Sequence, residues 1–525
     1  MTAIKTLEKK RQEIQSELDG LKTQEQRNVM GQFSTPIALA QDILAHAKNI
    51  FPKRGKVRFF DPAIGTGSFY SALLDVFPKS RIEAAKGIEI DEHYGKPSQK
   101  LWSETDLDFQ LSDFTKLKAP EKEEDKYNLI ICNPPYVRHH HINGQKERLQ
   151  TQALASANMK LSGLAGLYCY FMALTQPWMK KGAIAGWLVP SEFMDVNYGD
   201  VVKNYLSNEV KLLQIHRFDP SDVQFNDALV SSAVVWFENS KPESNHRVKF
   251  SYGGTIDKPS IEKNVDLITL RSERKWTRFP LSDKRELCLG PKLSDFFSVK
   301  RGIATGDNKF FVLNREQIEE FGLPIDQFRP ILPSPRYLKT NEVQSDRQGV
   351  PKIEKPLFVL DSKLPIEEIE HLYPELYSYL NKGIQSGVSE RYLCKSRKIW
   401  YSQENRPESL FYCTYIGRSD VEGKKPFRFI LNRSKAIVAN SYLILYPKPR
   451  IEKEISTNPE LANSLLSALN SITGKAMLDE GRVYGGGMHK MEPKELANVP
   501  AKEIQELLGD IKAEEQSDLF EVMTA

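Results

Sequence analysis

Short, mainly apolar runs alternate with helical stretches between residues 57 and 238. Runs of this kind, bounded by turn-forming residues, are typical of strands that are buried on both faces of a sheet. Because helix-compatible segments separate them, the pattern predicts an α/β domain with a doubly wound sheet. The predicted strands are Val57–Phe60, Lys86–Ile90, Asn128–Ile131, Ala183–Val189 and Ala233–Phe237.

The pattern changes on both sides of this region. Residues 5–30 are rich in Lys, Glu and Gln and carry apolar residues at helical spacing, which predicts a short amphipathic helix that packs as an arm on the next domain. After about residue 241, short irregular strands, prolines and aromatic residues precede a longer helical stretch near 458–473. We therefore predict an arm at 1–30, the α/β domain at 31–245 and a second, mixed α+β domain at 246–525.

The composition is that of a globular protein and narrows its location and chemistry. No apolar run approaches the roughly 20 residues needed to span a bilayer, and the first residues lack the apolar core of a secretory signal, so we expect a cytoplasmic protein. Five scattered cysteines without a Cys-x-x-Cys pair predict reduced thiols. His139, His140 and His141 are adjacent and have no second ligand cluster, so we predict no metal site and read them as loop residues near substrate.

Charge is unevenly distributed along the chain. The formal net charge is only +4, but residues 391–450 contain 13 Lys and Arg against 4 Asp and Glu. Residues 451–525 are net acidic. A local basic surface of this kind attracts phosphate groups, which favours a nucleic acid as partner.

A glycine-rich turn follows the first predicted strand. Asp61 leads into Ala63, Gly65 and Gly67, and a helix-compatible segment begins at Tyr70. Glycines in such a turn let the backbone approach a ligand, and the next helix presents free N–H groups. Glu89 lies 22 residues beyond Gly67 at the end of the next strand, where a carboxylate can accept both hydroxyls of a ribose.

Two further segments fit this ligand site. Asp113 is placed to accept from an adenine amino group while Phe114 covers the ring, although Asp113 alone could be a turn residue. Upstream, residues 31–36 precede a helical run from Ile37, with Thr35 as the predicted N-cap and Pro36 in the first turn.

The candidate catalytic element is Asn133-Pro134-Pro135-Tyr136, which directly follows the apolar strand segment Leu129–Cys132. Open α/β sheets place their ligand crevices at such carboxyl ends. Two prolines fix the backbone and remove N–H donors, which favours binding of an amino group. If the Asn133 side-chain oxygen and the Pro134 carbonyl accept the two hydrogens of a conjugated amine, its lone pair becomes available for in-line attack on a sulfonium methyl group. Tyr136 offers a ring for stacking a planar base.

Residues 31 to about 237 resemble the N6-adenine DNA methyltransferases of type II restriction–modification systems, in which the cofactor motifs precede the catalytic one. The resemblance implies a Rossmann-like methyltransferase sheet and S-adenosyl-L-methionine as cofactor. It implies that an aromatic residue at Phe225 packs against a flipped adenine. The implied cofactor residues are Thr35, Asp61, Ala63, Gly65, Gly67, Glu89, Ile90, Asp113 and Phe114.

The second domain carries softer signals of the same family. Leu293–Phe310 resembles the opening of its target-recognition domains, and Gly481–Met488 resembles a later glycine-rich element. Basic residues interleaved with aromatic or polar ones suit a surface that binds phosphates and base edges, although a single charged run is more often a solvated face. The candidate DNA contacts are Lys300, Arg301, Lys395, Arg397, Lys398, Arg433 and Lys435.

The resemblance implies a monomer that acts on double-stranded DNA and protects it from a separate cognate restriction endonuclease. The same catalytic tetrapeptide also occurs in methyltransferases that act on a glutamine amide of a protein or on RNA, but those chains usually lack so long a second domain. Two further hypotheses are a bifunctional enzyme that also cuts DNA and a DNA-binding module with an inactive cofactor pocket. A bifunctional enzyme would need a carboxylate-rich nuclease segment, and the sequence shows none. The intact cofactor and catalytic motifs argue against an inactive pocket.

Overall fold

The computed structural model describes residues 2–142, 144–219, 232–280, 290–418, 425–484 and 488–509. The chain divides into two compact units, Met1–Arg285 with Tyr484–Gly486, and Glu286–Val483 with Gly487–Ala525. Within the described ranges, no helix combines the length and apolar composition required to cross a membrane.

A single large sheet organises the first unit. Its strands lie in the order β3-β2-β1-β4-β5-β7-β6-β8-β9. The strands from β3 to β5 are parallel to their neighbours, and β7 runs antiparallel between β5 and β6. The strands are β1 Val57–Asp61, β2 Ile82–Glu89, β3 Leu107–Leu111, β4 Tyr127–Cys132, β5 Met179–Pro190, β6 Lys211–Arg217, β7 Ser232–Glu238, β8 Arg247–Gly254 and β9 Pro259–Asp266.

The helices of this unit precede, separate or follow its strands. They are α1 Thr2–Gly20, α2 Gln24–Met30, α3 Ile37–Ile50, α4 Ser68–Val76, α5 Glu92–Trp102, α6 Lys146–Ala157, α7 Leu167–Thr175, α8 Gly199–Asn204 and α9 Leu267–Ser272. Helix α1 packs against α4 and α5.

Apolar side chains fill both faces of the sheet. Successive residues of β1 alternate between two cores, so that Phe59 belongs to the core containing α3 and α4 while Phe60 belongs to the core containing α7. Burial on both faces explains why these strands read as nearly continuous apolar runs rather than alternating ones. The predicted α/β, doubly wound fold class is confirmed.

The five predicted strands correspond to β1, β2, β4, β5 and β7, whereas β3, β6, β8 and β9 were not predicted. The domain boundary predicted at 245/246 differs from the observed division, because β8 pairs with β6 and β9 pairs with β8 in the same sheet. The first unit therefore runs to residue 285.

The second unit is mixed α+β, as predicted. It contains a five-stranded sheet in the order β10-β18-β15-β17-β13 and two three-stranded sheets, β11-β14-β12 and β16-β20-β19. The strands are β10 Phe297–Arg301, β11 Val312–Asn314, β12 Phe328–Ile331, β13 Glu342–Val343, β14 Leu357–Leu360, β15 Phe411–Thr414, β16 Ile416–Arg418, β17 Phe429–Asn432, β18 Tyr442–Pro447, β19 Arg482–Tyr484 and β20 Met488–Lys490.

Short helices surround these sheets, and separate apolar clusters form under them. The helices are α10 Leu293–Phe296, α11 Asn308–Phe311, α12 Arg315–Glu320, α13 Ile366–Leu372, α14 Pro374–Gln385, α15 Tyr392–Lys395, α16 Pro449–Thr457, α17 Leu461–Ser471, α18 Gly474–Glu480, α19 Pro493–Ala497 and α20 Lys502–Leu508.

Phe60 provides a direct test of the core on the α7 face. Its ring stacks on Trp178 with a centroid distance of 4.7 Å and on Tyr127 at 5.0 Å, and it is fully buried. We expect Phe60→Ala to lower the free energy of unfolding by about 3–5 kcal/mol, because it removes buried area and leaves a cavity. Urea denaturation measures this, with Phe60→Leu as the milder control. Equal stability of the alanine variant and the wild type would contradict the packing described here.

Candidate active site

The carboxyl ends of β1, β2 and β4 meet at one edge of the sheet, because these strands are parallel neighbours. Asp61 ends β1, Glu89 ends β2, and Asn133 directly follows β4. Asp61, Glu89 and Asn133, which lie more than 70 positions apart in the sequence at their extremes, are thus neighbours along one edge of the sheet.

The glycine-rich turn between β1 and α4 needs its glycines. Gly65 and Gly67 have φ values of 56° and 93°, in the left-handed region that favours glycine. A Cβ atom on Gly67 would lie 2.5 Å from Nε1 of Trp102, which donates to the Thr66 carbonyl at 2.9 Å. The backbone N–H of Ala63 donates to the Asp61 carboxylate at 3.1 Å. Side-chain bulk at Gly67 is therefore excluded by both strain and space.

Glu89 connects this turn to the start of α5. One carboxylate oxygen accepts from the Gly65 N–H at 3.0 Å, and the other accepts from the Asp91 N–H at 2.8 Å. The carboxylate is nearly buried, and burial raises its pKa although both backbone bonds act in the opposite direction. The neighbouring Ile90 side chain is 56% exposed, which leaves an apolar surface beside the carboxylate.

Asp61 and Cys132 form a buried pair on adjacent strands. The Cys132 thiol and the Asp61 carboxyl group lie close enough that each affects the pKa of the other. Burial, together with the nearby Glu89, raises the pKa of Asp61 to about 8, and burial raises the pKa of the thiol as well. At neutral pH this carboxyl group is therefore largely protonated in the folded chain.

The Asp113-Phe114 segment differs in part from its predicted role. The Asp113 carboxylate caps a short turn by accepting from the Thr115 N–H at 3.0 Å and the Thr115 hydroxyl at 2.8 Å. The Phe114 ring is only 3% exposed and packs against Phe60 and Phe171. The ring is thus packed into the aromatic core, and its contact with an adenine stays a prediction.

The Asn133 amide has a defined orientation. Its Nδ2 atom donates to the Phe33 carbonyl at 3.0 Å and to the Thr35 hydroxyl at 3.1 Å. A backbone carbonyl can only accept, so the amide nitrogen must face Phe33 and Oδ1 must face the other way. Oδ1 is buried and has no hydrogen-bond donor among the described residues. The site thus presents a buried acceptor that lacks a partner.

The segment before α3 packs directly on the catalytic element. The Tyr136 N–H donates to the Gly31 carbonyl at 3.1 Å, and a Cβ atom on Gly31 would lie 2.4 Å from that nitrogen. The Tyr136 hydroxyl donates to the Leu188 carbonyl at 3.1 Å, and its ring lies 5.6 Å from the Phe33 ring. These contacts hold the backbone and the ring of Tyr136 on either side.

Thr35 has a different role from the predicted N-cap. Helix α3 is capped by Pro36 without a side-chain hydrogen bond. The Thr35 hydroxyl instead accepts from Asn133, while its carbonyl accepts from the Ser68 hydroxyl at the start of α4 at 2.9 Å. Thr35 therefore connects the glycine-rich turn to the catalytic element.

The sequence assigned the Gly31–Pro36 segment to the ligand site but did not single out Gly31 and Phe33 as the residues that contact Tyr136 and Asn133. The glycine of the Gly31–Pro36 segment was the available signal, since a left-handed glycine often marks a close backbone approach. Phe225 lies outside the described residues. Pro134 and Pro135 occupy the backbone between Asn133 and Tyr136, with Pro134 buried.

The basic candidates of the second unit differ in availability. Lys300, Lys398 and Lys435 are exposed. Lys395 is also exposed and forms an ion pair with Glu390 at 2.7 Å.

Three arginines among these candidates are bonded within the second unit. Their partners are, for Arg397, the carbonyls of Ala304 at 2.6 Å and Thr305 at 3.0 Å; for Arg433, Glu342 at 3.1 Å and Asn463 at 2.8 Å; for Arg301, the Asn440 carbonyl at 3.0 Å and the Tyr415 ring at 4.0 Å. Both the Arg397 and the Arg433 guanidinium groups therefore hold neighbouring segments together, and their contact with DNA stays a prediction.

Two family models match the chain. Residues 70–224 match the Eco57I restriction-modification methylase, and residues 273–522 match the C-terminal domain of the type II methyltransferase M.Eco57I. Together the two matches cover about three quarters of the chain.

Curated relatives extend over nearly the whole sequence. Type II methyltransferase M.AccI of Acinetobacter calcoaceticus is 26% identical over 490 residues, covering 90% of this chain and 85% of that protein. Type II methyltransferase M.XamI of Xanthomonas campestris pv. amaranthicola is 24% identical over 458 residues, covering 86% and 81%. Among solved structures, the type IIL restriction–modification enzyme MmeI in complex with DNA has a TM-score of 0.51 at 15% identity and covers 99% of this chain and 77% of that chain. At this identity the last likeness concerns the fold alone.

The raised pKa of Asp61 predicts how stability depends on pH. Between about pH 4, where an unfolded aspartate ionises, and about pH 8, the folded chain holds a proton that the unfolded chain has lost. This group therefore favours folding at low pH, and its contribution disappears as pH rises through about 8.

We expect Asp61→Asn, without ligand, to gain thermal stability relative to the wild type as pH rises from 5 to 8. Melting temperatures across that range measure the difference, with Asp75→Asn on the exposed face of α4 as control. Parallel pH profiles for Asp61→Asn and wild type would contradict the buried, protonated carboxyl group.

Proposed function

Since this chain belongs to the Eco57I family of restriction–modification methylases, we propose that it methylates N6 of an adenine in double-stranded DNA. It is a type II DNA methyltransferase, and S-adenosylmethionine is its methyl donor. The proposed part is the target: an adenine turned out of the duplex, at a recognition site that a cognate endonuclease would otherwise cut.

The buried Oδ1 atom of Asn133 carries this proposal. A buried acceptor without a donor is costly in a folded protein, so it is retained where a ligand supplies the missing hydrogen. The exocyclic amine of an adenine supplies two such hydrogens. With one hydrogen on Asn133 Oδ1 and the other on the Pro134 carbonyl, the amine nitrogen is drawn out of conjugation and its lone pair becomes nucleophilic.

The residues at the crevice edge fit the cofactor. The Glu89 carboxylate suits the ribose hydroxyls, Ile90 offers an exposed apolar surface to the adenine, and the left-handed turn at Gly65 and Gly67 allows close backbone approach. Asp113 remains partly exposed and suits an amino group. When bound, S-adenosylmethionine supplies a methyl group on a positively charged sulfur.

Tyr136 is proposed to stack on the target base. Its hydroxyl is bonded to the Leu188 carbonyl and its N–H to the Gly31 carbonyl, so the ring is fixed before the base arrives. Stacking of a base on an aromatic ring contributes about 1–3 kcal/mol, which offsets part of the few kcal/mol required for a base to leave the duplex.

Double-stranded DNA is the proposed substrate because a second unit of this family follows the methylase unit. In the second unit, the exposed side chains of Lys300, Lys398 and Lys435 are suited to binding DNA phosphates. A monomer suffices for this reaction, and a separately encoded endonuclease of the same specificity is the proposed functional partner.

Transfer to a protein glutamine amide or to an RNA base would use the same amine geometry. Incubation of the purified chain with radiolabelled S-adenosylmethionine and duplex DNA, RNA or protein separates the three. We expect label in DNA alone, as N6-methyladenine at one sequence. Label in RNA or protein without DNA would refute the substrate proposal.

Asn133→Ala should lower kcat by about 10²–10³-fold, because the variant has no acceptor aligned with the reacting amine. Cofactor affinity should change by less than about twofold, because the amide is proposed to bind the target base. Single-turnover methylation and calorimetry measure the two quantities.

Asn128→Ala is the matched control for Asn133. Asn128 lies in β4 five positions earlier and accepts from the Arg58 N–H and donates to the Lys56 carbonyl, both at 2.8 Å. It should reduce stability while leaving kcat nearly unchanged. Thr35→Val, which removes one of the two acceptors that orient Asn133, should lower kcat less than Asn133→Ala does. Wild-type kcat in Asn133→Ala would overturn the assignment.

The exposed lysines should govern the salt dependence of DNA binding. Replacing Lys300, Lys398 and Lys435 by alanine should reduce the slope of log Kd against log salt by about 0.9 for each phosphate that is no longer neutralised. Fluorescence anisotropy over a salt series measures the slope. The control replaces Lys453, Lys494 and Lys502 in the acidic 451–525 stretch. An unchanged slope in the variant without Lys300, Lys398 and Lys435 would contradict their proposed contacts with DNA phosphates. Arg397→Ala should instead lower the melting temperature, because Arg397 bonds to the Ala304 and Thr305 carbonyls.

A further inference from the structure

Helix α1 precedes both family matches, the first of which begins at residue 70, yet it lies directly on the proposed cofactor-binding turn. Arg11 is only 3% exposed, and its Nη1 atom donates to the Thr66 hydroxyl at 3.0 Å. Glu8 holds the same guanidinium with two bonds of 2.7 and 2.8 Å. The Thr66 hydroxyl in turn donates to Gln15 at 2.6 Å.

These bonds restrain a turn with little stiffness of its own. Thr66 stands between two left-handed glycines, a sequence with wide conformational freedom. Its side chain is held by Arg11 and Gln15, one helical turn apart on α1, and its carbonyl is held by Trp102. The conformation in which the turn meets a ligand therefore depends on groups outside the turn.

The same face of α1 also holds the segment after Glu89. Asp19 accepts from the Tyr94 hydroxyl at 2.8 Å, and the Leu18 carbonyl lies 2.9 Å from Nε2 of His93. Lys22, just beyond the helix, bonds with the Asp91 carboxylate. The two cofactor-binding segments, 63–67 and 89–91, are thereby attached to one rigid helix.

Polar bonds account for much of this docking. Among the residues of α1 whose burial is described, Leu18 is the buried apolar residue, whereas Leu21 just after the helix is 70% exposed. A helix that served only as packing would bury an apolar stripe. Leu7 also packs against the core that contains α3 and α4, but the most buried residue of the described helix is Arg11, whose charged group bonds to Thr66 in the turn.

We propose that α1 is part of the S-adenosylmethionine site, with Arg11 as the positioning residue that fixes the glycine-rich turn relative to Glu89. This rests on the proposed cofactor site. Binding of the cofactor and docking of α1 then favour each other, because coupling between two equilibria is reciprocal.

Calorimetric titration of the full chain with S-adenosylmethionine tests this. Arg11→Ala should weaken affinity by about tenfold or more while kcat at saturating cofactor stays within about twofold, and Arg11→Lys should recover part of the affinity. Arg58→Ala is the matched control, because Arg58 near the start of β1 makes three comparable bonds, to Glu83, Asp125 and Lys126. It should lower the melting temperature without changing affinity.

Equal affinities of wild type and Arg11→Ala would overturn this inference alone, whereas no measurable affinity in the wild type would overturn the proposed function as well. Hydrogen exchange of the wild type keeps the test valid if the variant folds poorly. Added S-adenosylmethionine should slow exchange of the amides in residues 2–20. Protection confined to residues 61–91 would refute the coupling.

Discussion

The orientation of one amide, that of Asn133, governs the chemistry of this crevice. Both hydrogens of its nitrogen are committed to Phe33 and Thr35, so its oxygen must point away, into a buried position where no described donor reaches it. The free energy of that missing bond is unfavourable by about 1–3 kcal/mol. The segment at 31–35 combines this restraint with two further features: Gly31 lies against the backbone of Tyr136, and the Thr35 hydroxyl bonds to Asn133 while α3 has no side-chain cap.

Cofactor and catalytic residues are joined by short chains of contacts rather than by separate scaffolds. Thr35 bonds both to Ser68, at the helix start behind the glycine-rich turn, and to Asn133. Asp61 and Cys132, the last residues of β1 and β4, form a second connection. A shift of the turn is therefore transmitted to the amide through one residue. This arrangement favours positional accuracy, since a misplacement of about 1 Å can cost about 10²-fold in rate.

The positions of residues within a clear local sequence pattern could be predicted. The roles of residues that depend on contacts with segments far along the chain could not. β1 and β4 are largely buried and read as apolar runs, and Asn133–Tyr136 is fixed by its own prolines. β3 was missed because Leu107–Leu111 alternates as a half-buried edge strand. Phe114 was assigned to a ligand although the core uses its ring. Arg397 and Arg433 resemble surface cations in sequence, but only the fold reveals which carbonyls and side chains lie within their reach.

The site also concentrates groups that weaken the ligand-free protein. Asp61 and Glu89 are buried carboxyl groups with raised pKa values, and the buried side-chain oxygen of Asn133 has no hydrogen-bond donor among the described residues. Each of these is a cost that a bound ligand can offset, since any species that binds only the folded state stabilises it in proportion to its saturation. Stability and function are therefore opposed at the same atoms. The apolar strands beneath, which contribute burial but no ligand contact, are what allow the crevice edge to remain polar, preorganised and incompletely bonded.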